Sequence, residues 1–380
     1  MTKSIQNPVI VCLQLNGAND WLNTLVPFDN PLYRDNRSQV GIAEEAVIKL
    51  NDHYGLHPSM GPVKTLWDQG KVALINGIGF DNSPRSHFRA TDIWNTCEPE
   101  ITGTEGWCAR AVADLDPRTE NPVKAVNVGV GLPRALVKRG VAVTSVSDLS
   151  SYGLMSDVSG IDSAQQRQQV LERFARIYSP AIGTGPVMDY LSQTGLVALE
   201  GADVIKTAPQ KYSSTIEYAN NPLAAKLRDI AKIHLANLGT QILYVQHGSF
   251  DTHMGELPAH EVLLADVSNA VGDFFADLEE HNAGDNVIMI IFTEFGRRVK
   301  DNGSGTDHGA GGGSIVIGNN VNGGIYLDYP SLKDEDLVFG DLKPHYDFRG
   351  FYSTILEDWM GLDPVPIVGG QFEKLNFIKN

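Results

Sequence analysis

The sequence predicts an α/β fold in which helices cover both faces of a mainly parallel sheet. Two observations predict it: four short apolar runs have the length of buried strands, and stretches with helical spacing of apolar residues separate them. The 380 residues, of which 42% are hydrophobic, are enough to fill a sizeable core. We therefore expect one elaborated domain over residues 1–380.

The four strands are predicted at VIVCLQL (9–15), VALINGI (72–78), QILYVQ (241–246) and NVIMIIF (286–292). Continuous apolar runs of this length are typical of strands that are buried on both faces of a sheet. Weaker strand patterns occur at 123–129, 141–146 and 314–318, and helical spacing is found at 59–70, 86–96 and 256–281. Strands that alternate with helices predict a parallel sheet with both faces covered.

Residues 150–238 differ from the rest and predict a helical insertion or cap beside the sheet. They are rich in polar residues and helical in pattern, as in SAQQRQQVLERFARIYS, and they contain no convincing strand. No Pro/Ser-rich linker, internal repeat or low-complexity tract marks a domain boundary, so the insertion is expected to belong to the one domain.

Charge and composition disfavour several functional classes. A formal net charge of −16 leaves no basic surplus to neutralise phosphates, so binding to nucleic acid or to an anionic membrane is not expected. No apolar run reaches the roughly 18 to 20 residues that span a bilayer, and the three cysteines lack the C-x-x-C spacing of a thiolate zinc site. The N-terminal apolar run is too short for a secretion signal, which predicts a cytoplasmic protein, or a periplasmic one if an export signal has been removed.

Polar side chains that can bind metals follow each of the four predicted strands. The segments are NGANDWLN, FDNSPRSHF, HGSFDTH and TEFGRR, and the glycine-rich stretch NGSGTDHGAGGG comes soon after the last of them. The carboxyl ends of parallel strands lie along one edge, where α/β proteins bind ligands. We therefore expect one site at this edge, although the glycine-rich stretch taken alone is equally typical of an ordinary surface turn.

Asp251 and His253 predict part of a metal site. In an extended segment they point to the same side and could share one cation. In a helix they would diverge, and His247 would instead neighbour Asp251. A carboxylate with imidazoles suits zinc, manganese or iron better than calcium or magnesium. Loop residues that bond only the local backbone are the alternative.

Other carboxylates and one arginine are expected at the same edge. Asp20 and Asn23 follow the first strand, and Glu294 follows the fourth. Converging carboxylates repel unless a cation or a proton lies between them, which favours a metal. Arg297 could bind an anionic substrate in fork geometry, or it could simply pair with Glu294.

Ser86 is predicted near the start of a helix, where backbone N–H groups and the helix dipole favour a phosphate or sulfate group. Its hydroxyl could act as a nucleophile if a metal lowers its pKa. Ser83 is the alternative site serine, and either residue could be only a helix cap. His87 is not a dyad partner of Ser86, since consecutive helical residues diverge by about 100°, and it is a candidate substrate-binding group.

The segments GANDWLNTLVP, LHPSM, SHF, FDTH, TEFGR, GTDHG and DFRGFY, taken in this order, resemble the bacterial family catalogued as domain of unknown function 1501. That family is placed in the alkaline phosphatase and sulfatase superfamily, and the resemblance runs from about residue 8 to residue 372. It implies an alkaline-phosphatase-like three-layer α/β/α sandwich with a mixed central sheet. It also implies one or two divalent ions, with zinc or manganese favoured and magnesium, calcium or iron as alternatives, and a nucleophile at a helix N-terminus.

By motif, the resemblance implies that Ser86 is the nucleophile and that Asp251, His253 and His308 share one metal site. Asp20 matches the carboxylate after the first strand. Glu294-Phe295 stands where many relatives carry Asp-His, so a histidine ligand of a second site is missing. One ion, or a second site dominated by carboxylates, is therefore expected.

These observations favour a metal-dependent hydrolase of small-molecule phosphate or sulfate esters, with Ser86 and Arg297 as catalytic residues. The residues expected at the metal are Asp20, Asp251, His253, Glu294, Asp307 and His308, and those expected at the substrate are Asn23, His87 and Arg297. The alternatives are a non-catalytic binding or assembly protein with a structural or vestigial metal site and, in third place, a phosphomutase-type transferase.

Overall fold

A computed structural model describes residues 7–149 and 212–379, together with the isolated positions 173, 201, 204, 205 and 208. The strands are β1 (Val9–Leu15), β2 (Leu25–Val26), β3 (Ile48–Lys49), β4 (Gly55–Leu56), β5 (Val72–Gly79), β6 (Ala125–Val128), β7 (Thr144–Val146), β8 (Ile242–His247), β9 (Val287–Thr293), β10 (Gly312–Gly318), β11 (Gly324–Tyr326) and β12 (Tyr346–Asp347). The α-helices are α1 (Trp21–Thr24), α2 (Pro31–Asn36), α3 (Gly61–Asp68), α4 (His87–Thr96), α5 (Trp107–Leu115), α6 (Pro222–Leu235), α7 (Glu256–Glu280), α8 (Phe348–Thr354) and α9 (Val365–Val368).

The central sheet is mixed but mainly parallel, with the strand order β11-β5-β10-β9-β1-β8-β6-β7, and β12 also pairs with β5. β10 is the exception to the parallel arrangement, because it runs antiparallel to both β5 and β9. A separate small antiparallel sheet has the order β2-β4-β3. The four strongest predicted strands and the three weaker ones all belong to the central sheet.

Helices cover the central sheet on both faces, as the continuous apolar runs predict. In β1, Val9 and Val11 pack into one core with α3, α6 and α7, whereas Ile10 and Cys12 pack into a second core with α4, α5 and α8. Successive side chains of a strand point to opposite faces, so a strand buried on both sides is apolar at nearly every position. The predicted three-layer α/β fold class is confirmed.

Most of the predicted insertion at 150–238 lies outside the described residues, and its character stays a prediction. Within its described part, α6 packs against α7 on one face of the sheet. Among the described helices, none combines the length and apolar character needed to cross a membrane.

Candidate metal centre

The glycine-rich stretch after β9 folds back on the chain and extends the pairing between β9 and β10. The Gly309 N–H donates to the Gly296 carbonyl at 2.9 Å, and the Gly296 N–H donates to the Ala310 carbonyl at 3.0 Å. A Cβ at Gly309 would lie 2.6 Å from the Arg297 carbonyl carbon, so only glycine permits this approach. Residues 302–304 are exposed and form a turn in which the Asn302 N–H donates to the Gly305 carbonyl, whereas the following part of the stretch is held against the segment after β9, with His308 opposite Arg297.

Four side-chain donor atoms converge at the carboxyl edge of the sheet. His308 Nε2 lies 2.9 Å from both His87 Nε2 and His253 Nε2. Asp251 Oδ1 is 3.0 Å from His308 Nε2, 3.1 Å from His253 Nε2 and 3.4 Å from His87 Nε2. His87, Asp251 and His308 form the compact part of this cluster, since their donor atoms all lie within 4.8 Å of one another. His253 adds a fourth donor beside Asp251 and His308.

Each of the three imidazoles engages an oxygen acceptor through its other ring nitrogen. Nδ1 of His87 lies 2.7 Å from Glu294 Oε1, and Nδ1 of His253 lies 2.9 Å from Asp307 Oδ1. Nδ1 of His308 lies 2.8 Å from the Arg85 carbonyl oxygen. The hydrogen-bond network thus assigns the proton to Nδ1 and leaves each Nε2 with its lone pair directed into the cluster. Metal-binding histidines are usually oriented in this way.

The donor set fits a divalent ion. Three imidazole lone pairs and one carboxylate repel one another at these separations unless a cation or protons lie between them. A tetrahedral ion with bonds of about 2.1 Å separates its ligand atoms by about 3.4 Å, and the donor atoms of His87, Asp251 and His308 lie 2.9 to 3.4 Å apart. The Asp251 side chain is 44% exposed, which leaves the cluster open to an incoming group.

Neighbouring groups keep the cluster polar and charged. Burial alone would raise the pKa of Asp251, but the hydrogen bond from Arg297 and its positive charge help to lower it to about 2. A hydrogen bond with Glu294 raises the pKa of His87 against the opposing effect of burial. Asp251 is therefore an anion over the physiological pH range, as a metal ligand must be.

Glu294 and Asp307 lie behind the histidines, a placement that differs from the expected one beside the ion. Glu294 Oε1 accepts from the Gly17 N–H at 2.9 Å as well as contacting His87, and Glu294 Oε2 accepts from the Thr293 hydroxyl. Asp307 Oδ1 also accepts from Asn302 at 3.1 Å. Both carboxylates orient an imidazole, whereas His87, which was expected at the substrate, lies among the donor atoms.

Arg297 does not face an incoming substrate, contrary to expectation. Its side chain is fully buried, and Nη2 donates to Asp251 Oδ1 at 2.7 Å and to the Phe250 carbonyl at 2.9 Å. Other guanidinium hydrogens reach the carbonyl oxygens of Gly17, Ala18 and Thr306. One guanidinium thus joins the loops after β1, β8 and β9, and Arg297 acts on the cluster by positioning Asp251.

Asp20 and Asn23 also differ from expectation, because both are buried in a separate polar network. Asp20 makes a fully buried ion pair with Arg37, with Nη2 at 3.0 Å from Oδ1, and caps α1 through the Leu22 N–H. Asn23 donates to Glu256 Oε1 at 3.2 Å and accepts from the Tyr33 hydroxyl at 2.7 Å. With these partners Asp20 and Asn23 stabilise the buried interior of the protein, and neither belongs to the donor cluster.

Glu256 should make the stability of the protein depend on pH. Burial and the neighbouring Asp20 raise the pKa of Glu256 from 4.5 to about 9, so the folded protein keeps a proton that the unfolded chain loses. The free energy of unfolding is therefore expected to decrease as the pH rises from 4.5 towards 9. Glu256→Gln keeps a neutral hydrogen-bonding group of the same shape and should flatten this decrease.

Urea denaturation at several pH values between 4.5 and 9 measures this effect. Glu261→Gln, on the exposed side of the same helix, is the control and should leave the pH dependence of the wild type unchanged. Parallel pH profiles for the wild type and Glu256→Gln would show that Glu256 ionises normally in the folded protein.

Ser86 is the N-cap residue of the ten-residue helix α4, as predicted, and its side chain is exposed. Its hydroxyl makes no capping hydrogen bond, so the interpretation as a simple side-chain cap is not supported. The Ser83 hydroxyl is buried and has no hydrogen-bond partner. Ser86 is flanked by His87 and by Arg85, whose carbonyl oxygen contacts His308, which places it beside the cluster.

The sequence pattern assigned His87 to the substrate instead of the metal, and it did not identify Arg37 and Glu256. A histidine in the first turn of a helix at this edge is also well placed to bind a metal. Arg37 and Glu256 gave no signal, because a buried polar side chain is recognised only from its partners, and the fold brings these together from separate segments.

The fold and the site together define an α/β protein with a candidate metal centre at the carboxyl edge of a mixed sheet. The chain belongs to the family described as "Protein of unknown function (DUF1501)", whose profile matches residues 7–364, so the predicted family is confirmed. No curated protein sequence matches the chain.

Several solved structures of the alkaline phosphatase and sulfatase superfamily resemble the fold at low sequence identity. The PsFucS1 sulfatase from Pseudoalteromonas sp. is 12% identical with a TM-score of 0.41, and the match covers 98% of this chain and 71% of that chain. A protein in the alkaline phosphatase superfamily from Vibrio parahaemolyticus is 9% identical with a TM-score of 0.36, covering 87% and 64%. The lipoteichoic acid synthase LtaP from Listeria monocytogenes is 9% identical with a TM-score of 0.37, covering 84% and 68%. At these values the likeness concerns the fold alone.

Proposed function

We propose that this protein is a divalent-metal-dependent hydrolase of phosphate or sulfate esters. The observation that carries the proposal is the convergence of three imidazole Nε2 atoms and one carboxylate oxygen. Each of these four atoms lies within 3.4 Å of at least two of the others. His87, Asp251, His253 and His308 would hold the ion, and zinc or manganese suits this mixture of nitrogen and oxygen donors. A bound ion would neutralise negative charge on an ester and on an attacking oxygen.

Ser86 is the proposed nucleophile. Its hydroxyl makes no capping hydrogen bond and lies at the N-terminus of α4, where unpaired N–H groups and the helix dipole favour an anionic group. In the first step Ser86 Oγ bonds to the phosphorus or sulfur atom while the bond to the leaving oxygen breaks. The serine proton passes to water, and the leaving oxygen takes a proton from water. A second water then displaces the serine oxygen and restores the hydroxyl.

Elemental analysis of protein purified without chelator tests the metal site. We expect about one zinc or manganese ion per chain in the wild type and a loss of most of it in Asp251→Ala and His308→Ala. His53→Ala is the matched control, because His53 is an exposed histidine that pairs with Asp29 away from the cluster. The metal-loaded protein is then assayed with phosphate and sulfate monoesters.

Three results are informative. Metal loss in both cluster variants together with ester turnover by the wild type supports the proposal. No bound metal, even after reconstitution, contradicts it at the first step. A bound metal without any ester turnover would instead favour the non-catalytic binding or assembly protein.

A further inference from the structure

The most exposed large apolar side chains of the described residues belong to the edge of the sheet that carries the cluster. Phe88 is 92% exposed, Val130 91%, Phe339 85% and Met254 80%, and the next such side chain is only 62% exposed. Phe88 directly follows His87, Met254 directly follows His253, and Val130 lies just after the carboxyl end of β6. Single exposed apolar residues are ordinary, but a group around one site marks a binding surface.

Phe339 is held at the tip of a tight turn in a backbone conformation that aromatic residues rarely adopt. Val338 and Asp341 exchange two backbone hydrogen bonds of 3.1 Å, with Phe339 at φ 55° and Gly340 at φ 86° between them. Asparagine or glycine is the usual residue at such a position, and a bulky side chain there is strained. Strained residues of this kind cluster at active sites and ligand-binding sites.

Two arginines join this turn to the cluster. Arg85 and Arg298 both donate to the Phe339 carbonyl oxygen, and Arg85 also donates to the Asp341 carboxylate at 2.7 Å. The Arg85 carbonyl accepts from His308 Nδ1, and the Arg298 N–H donates to the Asp307 carbonyl at 3.0 Å. The backbone of the turn at Phe339 is therefore tied to the segments that orient His308 and carry Asp307, while the Phe339 ring itself is left exposed.

We propose that Phe88, Met254 and Phe339 form an apolar rim that binds an aromatic leaving group of the ester substrate. This inference rests on the proposed function, since the anionic group of the same ester would lie at the cluster. Two phenyl rings and a thioether offer stacking and sulfur–aromatic contacts. Their side chains provide no hydrogen-bonding group for a sugar, and the net charge of −16 opposes docking to an anionic membrane.

Calorimetric titration of the zinc-loaded protein with phenylphosphonate and methylphosphonate tests the rim without requiring turnover. The wild type is expected to bind phenylphosphonate about tenfold more tightly than methylphosphonate. Phe339→Asn, which suits the backbone of the turn, and Phe88→Ser should reduce this preference without changing the affinity for methylphosphonate. Phe339→Tyr, which keeps the ring, and Val262→Ser, an exposed apolar position on α7, should retain it.

The outcomes separate the two proposals. Equal affinity for both phosphonates in the wild type, or an unchanged preference in Phe339→Asn and Phe88→Ser, would show that the rim does not bind the aromatic group. The hydrolase proposal would be unaffected. Failure of the zinc-loaded protein to bind either phosphonate contradicts the hydrolase proposal itself. Light scattering that shows a dimer dissociating in the rim variants, with the preference unchanged, would overturn the inference and identify the rim as an interface between copies of this chain.

Discussion

Replacement of Ser86 by alanine is expected to lower ester turnover by at least about 10³-fold, because removal of a nucleophile that forms a covalent intermediate leaves only binding and electrostatic catalysis. The metal content should stay at the wild-type value, since Ser86 is not one of the four donor residues. The helix should also persist, because the Ser86 side chain makes no capping hydrogen bond.

Steady-state kinetics and elemental analysis of the same preparations measure the effect of Ser86→Ala. Ser83→Ala is the matched control: its hydroxyl is buried without a partner, and its removal should leave turnover within a few-fold of the wild type. Rapid quenching of the wild type during turnover should yield a phosphoryl or sulfuryl adduct on the peptide that contains Ser86. Turnover by Ser86→Ala close to that of the wild type would mean that water attacks the ester directly.

Replacement of Arg297 by glutamine is expected to destabilise the protein by about 3 to 5 kcal/mol. The substitution removes a buried charge that pairs with Asp251 and leaves carbonyl oxygens of three loops without their donor. The affinity for the metal should decrease as well, because Asp251 would lose the partner that orients it and lowers its pKa.

Urea denaturation and metal titration under conditions in which Arg297→Gln remains folded separate these two effects. Arg298→Gln is the control, since the neighbouring arginine is 36% exposed and its ion pair with Asp341 is 3.3 Å long. Partly exposed pairs of this kind contribute at most about 1 kcal/mol. Equal stability of the two variants would show that Arg297 does not hold the three loops together. An unchanged metal affinity in folded Arg297→Gln would show that Arg297 does not position Asp251 for metal binding.

The sheet was predictable because its strands are buried on both faces. In β1 and β9 every position except Gln14 and Thr293 belongs to one of the two cores, so both runs are almost wholly apolar. β10 was only a weak pattern, because it contains glycines that serve close packing: a Cβ at Gly313 would lie 2.0 Å from the Trp21 ring. Its antiparallel direction has no signature in a short run of side chains.

The composition of the site was predictable in part, for a topological reason. Parallel strands end at one edge, so polar residues after β5, β8 and β9 had to come near one another. Asp251, His253 and His308 were expected to meet, and the structure brings them into contact. Their roles as ligands stay predictions until the metal is measured.

The division between donor, orienting and structural residues was decided only by the tertiary structure. Asp20 and Asp251 are both aspartates that follow strands, yet Asp20 is buried against Arg37 and Asp251 is open to solvent. Likewise, Glu294 contacts His87 Nδ1 from behind, and Arg297 is enclosed by carbonyl oxygens.

The sequence by itself determined the fold class, the family and the edge of the sheet at which the candidate site lies, because apolar periodicity and the order of motifs are local along the chain. The partner of each charged group depends on residues that are distant in sequence, and its exposure depends on the packing of several elements, so only the folded chain decides which group is free to bind a ligand.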